Sequence, residues 1–215
     1  MSELARRSIV GMLLIALTLV AAVRGGYAFA TLVALAACVV FYEWRRIVHG
    51  WGLGWQVAGF VYTLIPALAL LWIRERFAVD SAPLGLELLL WVFVTTWSVD
   101  IGAYFAGRAI GGPRLAPSIS PNKTWAGRIG GMAAAALFGG LWVSLLQLPD
   151  ILILLAVPFA VAAQGGDLFE SWLKRRAGVK DSGDFLPGHG GALDRLDGLV
   201  VVATLTAAAM VAGLL

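Results

Sequence analysis

Apolar residues run in seven long stretches along the chain, at about 8–23, 27–41, 53–73, 84–106, 129–146, 151–168 and 196–215. A helix needs about 20 mostly apolar residues to cross a hydrocarbon core about 30 Å thick. The pattern therefore predicts an all-α fold, a polytopic transmembrane bundle of about seven membrane helices. The first two stretches are short. They read as tilted spans, or as a hairpin that only partly crosses, turning at Arg24-Gly25-Gly26. The first also reads as a signal peptide, with Arg6 and Arg7 before an apolar run and the small residues Ala21-Ala22 near its end.

Composition agrees with the pattern. Of the 215 residues, 60% are hydrophobic and 13% charged, where a soluble domain carries about 25% charged residues. A soluble globular protein, a disordered chain and a disulfide scaffold are all excluded. The one cysteine, Cys38, cannot form an internal disulfide, and a cysteine-based zinc site is out of reach. The formal charge of +3 matters less than its distribution. With a cytosolic N-terminus, thirteen of the sixteen Lys and Arg residues fall on the inside; only Arg24, Arg74 and Arg76 fall outside. That bias orients a membrane protein. It puts the two longest polar connections, about 107–128 and 170–195, in the cytosol. One membrane domain is expected, residues 1–82 serving as scaffold and 83–215 carrying most of the intramembrane polar groups.

Charged groups inside a bilayer are costly and each needs a reason. At about 1.5 Å of rise per residue, Asp100 lies about 21 Å in from the outer face, Asp167 about 24 Å and Asp197 about 27 Å. Three helices thus deliver a carboxylate to a similar level near the cytosolic surface. Asp194 and Asp197 share a helix face near its start, Asp167, Glu170 and Lys174 share another, and Asp100, Tyr104 and Arg108 a third. Plainer readings exist for each: a Glu170–Lys174 ion pair, a helix cap at Asp194 and Asp197, a pairing of Asp100 with Arg108 or a tyrosine. Taken together, acids at one depth without matching cations would repel one another. A divalent cation such as Mg²⁺, which takes one or two carboxylates plus water and phosphate oxygens, relieves that repulsion.

The cytosolic connections supply complementary chemistry. Residues 107–125 mix glycines, prolines, hydroxyls and cations, including Ser118, Ser120, Lys123 and Thr124. Their backbone amides and Lys123 can hold phosphates, although a solvated basic loop would look the same. Residues 171–197 place the cations Lys174, Arg175, Arg176 and Lys180 ahead of Asp181, a glycine-rich Pro187-Gly188-His189-Gly190-Gly191, and then Asp194, Arg195 and Asp197. Bare backbone there can approach a ligand closely. Cations and amides for phosphate beside acids for metal are the inventory of phosphoryl or nucleotidyl transfer.

The second connection resembles the signature of the phosphatidate cytidylyltransferases, also called CDP-diacylglycerol synthases. The family pattern Ser-x-x-Lys-Arg, Lys-Asp, Pro-Gly-His-Gly-Gly, Asp-Arg-x-Asp is met by Ser171, Lys174, Arg175, Lys180, Asp181, Pro187 through Gly191, Asp194, Arg195 and Asp197. Upstream, Asp100-Ile101-Gly102-Ala103-Tyr104 with Gly107-Arg108, Ser120-Pro121-Asn122-Lys123-Thr124, and Gly166-Asp167-Leu168-Phe169-Glu170-Ser171 resemble three further family elements. The resemblance covers about 97–198. Asn122 stands where the family carries a lysine, and many family members are longer.

The resemblance implies transfer of a cytidylyl group from CTP to phosphatidic acid, giving CDP-diacylglycerol and pyrophosphate, on the cytosolic side of a bacterial inner membrane. Asp167, Asp194 and Asp197 are then expected to hold Mg²⁺, with Asp181 the next candidate and a second, monovalent cation allowed. Asp194, Asp197, Lys180, Asp181 and Arg195 form the expected catalytic set. Lys123, Ser120, Thr124, Lys174, Arg175, His189, Gly190, Gly191 and Asp100 are the expected substrate-binding residues. The expected partners are CTP, phosphatidic acid and membrane lipids, with no nucleic acid and with room for a homodimer. A CTP-dependent lipid kinase and an ion or proton transporter compete with this reading. CDP-alcohol phosphotransferases use paired acids at a longer spacing that is absent from the sequence.

Overall fold

The computed structural model of the chain describes residues 3–76, 84–185 and 190–215. Its elements run α1 (Glu3–Arg24), α2 (Gly26–Ile47), α3 (Leu53–Arg74), α4 (Gly85–Ile110), β1 (Arg114–Ala116), β2 (Ser120–Thr124), α5 (Trp125–Leu146), α6 (Ile151–Arg176) and α7 (Leu193–Val211). Each apolar stretch of the sequence corresponds to one helix. Five of them, α2 to α6, are long and apolar enough to cross a membrane, the mark of an integral membrane protein; the apolar part of α1, Ser8–Arg24, is shorter.

Two features depart from the apolar pattern. The first is a small antiparallel hairpin, β1 with β2, in which Arg114 faces Thr124 and Ala116 faces Ser120. Pro113, Pro117 and Pro121 lack the N–H a helix needs, and the chain reverses with Ile119 N–H donating to Ala116 O at 3.1 Å. The second is the length of α6. It continues two turns past the apolar run, through Arg176, because nothing there breaks a helix until Gly178. Gly178 sits at φ +73°, the left-handed turn that glycine adopts without a Cβ clash. The N–H of Val179 closes the end by donating back to Lys174 O at 3.0 Å.

The chain divides into two compact units. One comprises Met1–Leu86 with Leu173–Leu196, the other Glu87–Trp172 with Asp197–Leu215. In the first unit, α1 gives way to α2 at Gly25, φ +63°. Arg74, at the end of α3, donates to the carbonyls of Ala22 and Val23 at 2.6 and 3.1 Å. A cation there satisfies helix-end carbonyls and complements the dipole of α1. Trp44 is buried, donates to Trp55 O at 2.8 Å and stacks on Tyr62 at 5.0 Å. Gly59 makes room for it, since a Cβ there would lie 2.0 Å from the indole. Gly59→Ala is expected to destabilise the protein by about 1–3 kcal/mol, the usual cost of overpacking, and a lowered Tm in detergent would register it. An unchanged Tm would refute the close packing.

In the second unit, α4 and α5 meet along small residues. A Cβ on Gly102 would come within 2.6 Å of Gly130 O, one on Gly127 within 2.9 Å of Ala103 O, and one on Gly130 within 2.2 Å of Ala106 Cβ. Between helices in lipid there is no hydrophobic driving force, so close backbone approach of this kind carries the association. Val99, Ala135 and Ala160 form a core at the meeting of α4, α5 and α6, with Met132 against it. Leu137, Phe138, Leu141 and Leu145 of α5 are exposed, as lipid-facing positions are.

Candidate functional site

In the second unit a cavity of about 670 Å³ opens among the C-terminal half of α4, the hairpin, the start of α5, and α6 with Gly198 of α7. Asp100, Ser120, Lys123, Thr124 and Asp167, all expected from sequence to contact substrate or metal, line it together with Arg108, Asn122, Arg128 and Gln164. Local structure explains how they come together. Prolines turn the chain into the hairpin, and β2 runs straight into α5, whose first turn Thr124 caps by accepting from Gly127 N at 3.1 Å. Side chains such as Thr124 are favoured there because they satisfy an orphan helix-end donor. Lys123, one residue earlier, forms an ion pair with Asp167 of α6. Arg108 donates to Tyr104 Oη at 3.0 Å, one turn back on the same face.

The cavity and its surroundings hold groups of both charges. Asp197, in the second turn of α7, holds its carboxylate among the negative charges of Asp167, Glu170 and Asp100, and accepts from Gly198 N at 2.7 Å. Cations and hydroxyls of the hairpin and of the helix ends line the same cavity. Lys123 offsets part of the acidic charge. Among the described residues, no three Asp, Glu, His or Cys side chains converge closely enough to cage a metal by themselves. Mg²⁺ does not require a cage. It keeps several waters and is held by one or two carboxylates plus substrate phosphates. Mutually repelling acids with hard oxygen donors suit such an ion.

In the first unit the connection between α6 and α7 is organised by two carboxylates. Asp194 accepts from Lys174 Nζ at 2.5 Å, from Ser182 N at 3.0 Å and from Gly191 N at 3.0 Å. A metal drawn to Asp194 has to compete with the ammonium of Lys174. The other carboxylate belongs to Glu43 of α2, which is 1% exposed. It accepts from Ser182 Oγ at 2.9 Å, Ala192 N at 3.0 Å and Leu193 N at 2.8 Å. The last two amides stand at the N-terminus of α7, where negative charge is favoured. Glycine is required at two points of this connection. Gly190 has φ +81°, and a Cβ on Gly191 would lie 1.8 Å from Ser182 Oγ and 2.6 Å from Glu43 Oε2.

The remaining expected residues are spread along the same connection. Arg175 donates to Val179 O at 3.3 Å. Lys180, Asp181 and Arg195 are exposed. His189 lies outside the described residues, as do Pro187 and Gly188 of the same motif. Glu43 carries no signal in the sequence: it ends an apolar run beside Trp44, Arg45 and Arg46 and reads as an ordinary interfacial charge. Gln164 is also missing from the residues expected by sequence, although a polar side chain inside an apolar span is itself a signal.

The pattern of the cytidylyltransferase family matches residues 53–212. A phosphatidate cytidylyltransferase of Brucella suis is 47% identical over 176 residues, covering 81% of this chain and 62% of that protein. One from Haemophilus influenzae is 43% identical over 145 residues, 64% of this chain and 50% of the other. One from Rickettsia bellii is 34% identical over 186 residues, 82% and 78% of the two. The chain thus spans 62% of the length of the Brucella relative.

Proposed function

Since the chain belongs to the cytidylyltransferase family, we propose that it transfers the cytidylyl group of CTP to phosphatidate, forming CDP-diacylglycerol and pyrophosphate. The observation that carries this reading is the cavity in which Lys123 pairs with Asp167 beside Asp100, with the carboxyl group of Asp197 within their electrostatic reach. A nucleoside triphosphate and a lipid phosphate are both anions that need cations, and both need a polar place within reach of the membrane.

The chemistry asks little of a general base. The phosphate of phosphatidate is already ionised near neutral pH. One of its oxygens attacks the α-phosphorus of CTP, a new P–O bond forms, and the bond to the β-phosphate oxygen breaks to release pyrophosphate. The protein's part is positioning and charge stabilisation. Lys123, Arg108 and Arg128 hold phosphates at the polar end of the cavity, and Ser120 and Thr124 add hydroxyl donors. A phosphate that draws Lys123 away leaves the Asp167 carboxylate facing the cation that accompanies the nucleotide. Asp167 and Asp197 would hold Mg²⁺, with Asp100 nearby; bound there, the ion offsets charge developing on the leaving pyrophosphate. Lys180, Asp181, Asp194 and Arg195 keep, on the family resemblance, the phosphate and metal roles expected of them. The bias of basic residues supports a cytosolic N-terminus and a site facing the cytosol of an inner membrane.

Two labels test the proposal. With purified protein in phosphatidate vesicles, α-labelled CTP is expected to place its label in lipid, while γ-labelled CTP leaves its label in soluble pyrophosphate. Excess chelator is expected to abolish the transfer and added Mg²⁺ to restore it. Label from the γ-position appearing in lipid would instead identify a kinase, and transfer that survives chelation would remove the metal from the scheme.

A further inference from the structure

Gln164 lies on α6, 9% exposed, and lines the cavity. Its Nε2 donates to Arg128 O at 3.1 Å. Its Oε1 is buried and has no hydrogen-bond partner among the described residues. The amide cannot simply turn over, because that would set Oε1 against the carbonyl of Arg128. Gly131 leaves room for the same group: a Cβ there would lie 2.5 Å from Nε2. The result is a fixed, unpartnered acceptor on a side chain that lines the cavity. A buried acceptor without a donor is uncommon in a native protein and calls for an explanation.

The surroundings say which ligand atom it meets. Gln164 and Asp167 share a face of α6, and three residues of rise place Gln164 about 4.5 Å further from the cytosolic end. The lining nearby is small or apolar: Val99, Ala103, Gly127, Ala163 and Gly198. The hydroxyl of Thr96 is spent on Val92 O at 2.8 Å. The lining thus combines cations suited to phosphate with small and apolar residues and one waiting acceptor. Ionised phosphatidate offers acceptors around its phosphate and no N–H. A cytosine base offers a flat surface and an exocyclic amino group.

We propose that Gln164 selects the base of the nucleotide: its Oε1 accepts a hydrogen bond from the 4-amino group of cytosine. Uracil carries an acceptor oxygen at that position, so the same geometry rejects UTP. The inference rests on the cytidylyl-transfer reading above and adds the residue that sets its specificity. A site built to meet a substrate N–H rejects an analogue lacking it, because the site's own polar atom is left unpaired.

The test compares CTP, UTP, 2′-deoxy-CTP and the triphosphate of 2-pyrimidinone riboside, which is cytidine without its 4-amino group. In the unaltered protein, kcat/KM for the pyrimidinone nucleotide is expected to fall at least about tenfold below that for CTP. In Gln164→Met, that gap and the gap to UTP are expected to shrink to within about threefold, through loss with CTP alone. An unchanged CTP-to-pyrimidinone ratio in an active variant overturns the inference and leaves cytidylyl transfer standing. A variant that alters only the CTP-to-deoxy-CTP ratio also overturns it, since the acceptor would then serve a ribose hydroxyl. If Gln164→Met does not fold, equal use of CTP and the pyrimidinone nucleotide by the unaltered protein is enough to overturn it. Failure of the parent reading is told apart by a separate sign: no α-label reaches lipid from any nucleotide.

Discussion

Replacing Asp197 by asparagine is expected to lower kcat at least about a hundredfold, the usual scale for removing one preorganised charge from a transition state, while the protein still inserts and folds. Asparagine keeps the shape and can still accept from Gly198 N, as Asp197 does at 2.7 Å. It loses the ionisable carboxyl that stands within electrostatic reach of Asp167, Glu170 and Asp100. If the acidic group serves a cation, the dependence on Mg²⁺ should shift to higher concentration along with the loss in kcat. Initial rates measured across a range of Mg²⁺ decide it. Unchanged turnover with an unchanged Mg²⁺ dependence would show that the acids at this level are structural. Relief of repulsion predicts the opposite sign for stability: the asparagine variant should be no less stable than the parent, because one of several mutually repelling charges has gone.

Glu43→Ala is expected to have a comparably large effect by a different route. Its carboxylate is buried and accepts from Ser182 Oγ, Ala192 N and Leu193 N. Truncation leaves three buried donors unsatisfied, at about 1–3 kcal/mol each. The connection between α6 and α7 should then loosen. Trypsin should cut sooner after Arg176 or Lys180, and cytidylyl transfer should fall by about two orders of magnitude if about 3 kcal/mol of ordering is lost. Glu43→Gln, which keeps acceptor oxygen but also presents an amide to the donors, should fall between. An alanine variant as active and as protease-resistant as the parent would show that the connection holds its shape without α2.

Much of this arrangement is written plainly in the chain. The seven apolar runs each correspond to a helix among the described residues, and five of these are long and apolar enough to cross a membrane, where backbone hydrogen bonds must be made internally. Asp100, Asp167 and Asp197 can be placed near one level by counting residues, since helical rise is fixed. The hairpin is less legible, because three prolines announce the end of a helix and leave the path beyond it open. Glu43 is hidden for a deeper reason. Its partners lie 139 to 150 residues away, and no local spacing records a contact over that distance. Asp194 can be read from sequence as a cap or as a ligand. Its contacts with Lys174, Ser182 and Gly191 belong to a loop whose path no periodicity encodes. Gln164 is visible as an oddity, a polar amide between Ala163 and Gly165, and its meaning depends on which atoms the fold leaves over.

The grouping of residues 173–196 with the first three helices bears on how relatives can be recombined. The stretch that carries most of the signature motif is anchored by a residue of α2, upstream of the matched region 53–212. Chimeras that exchange the N-terminal helices between relatives should carry the late connection with them. Grafts cut according to spatial neighbourhood should express and function better than those cut at a single point in the sequence.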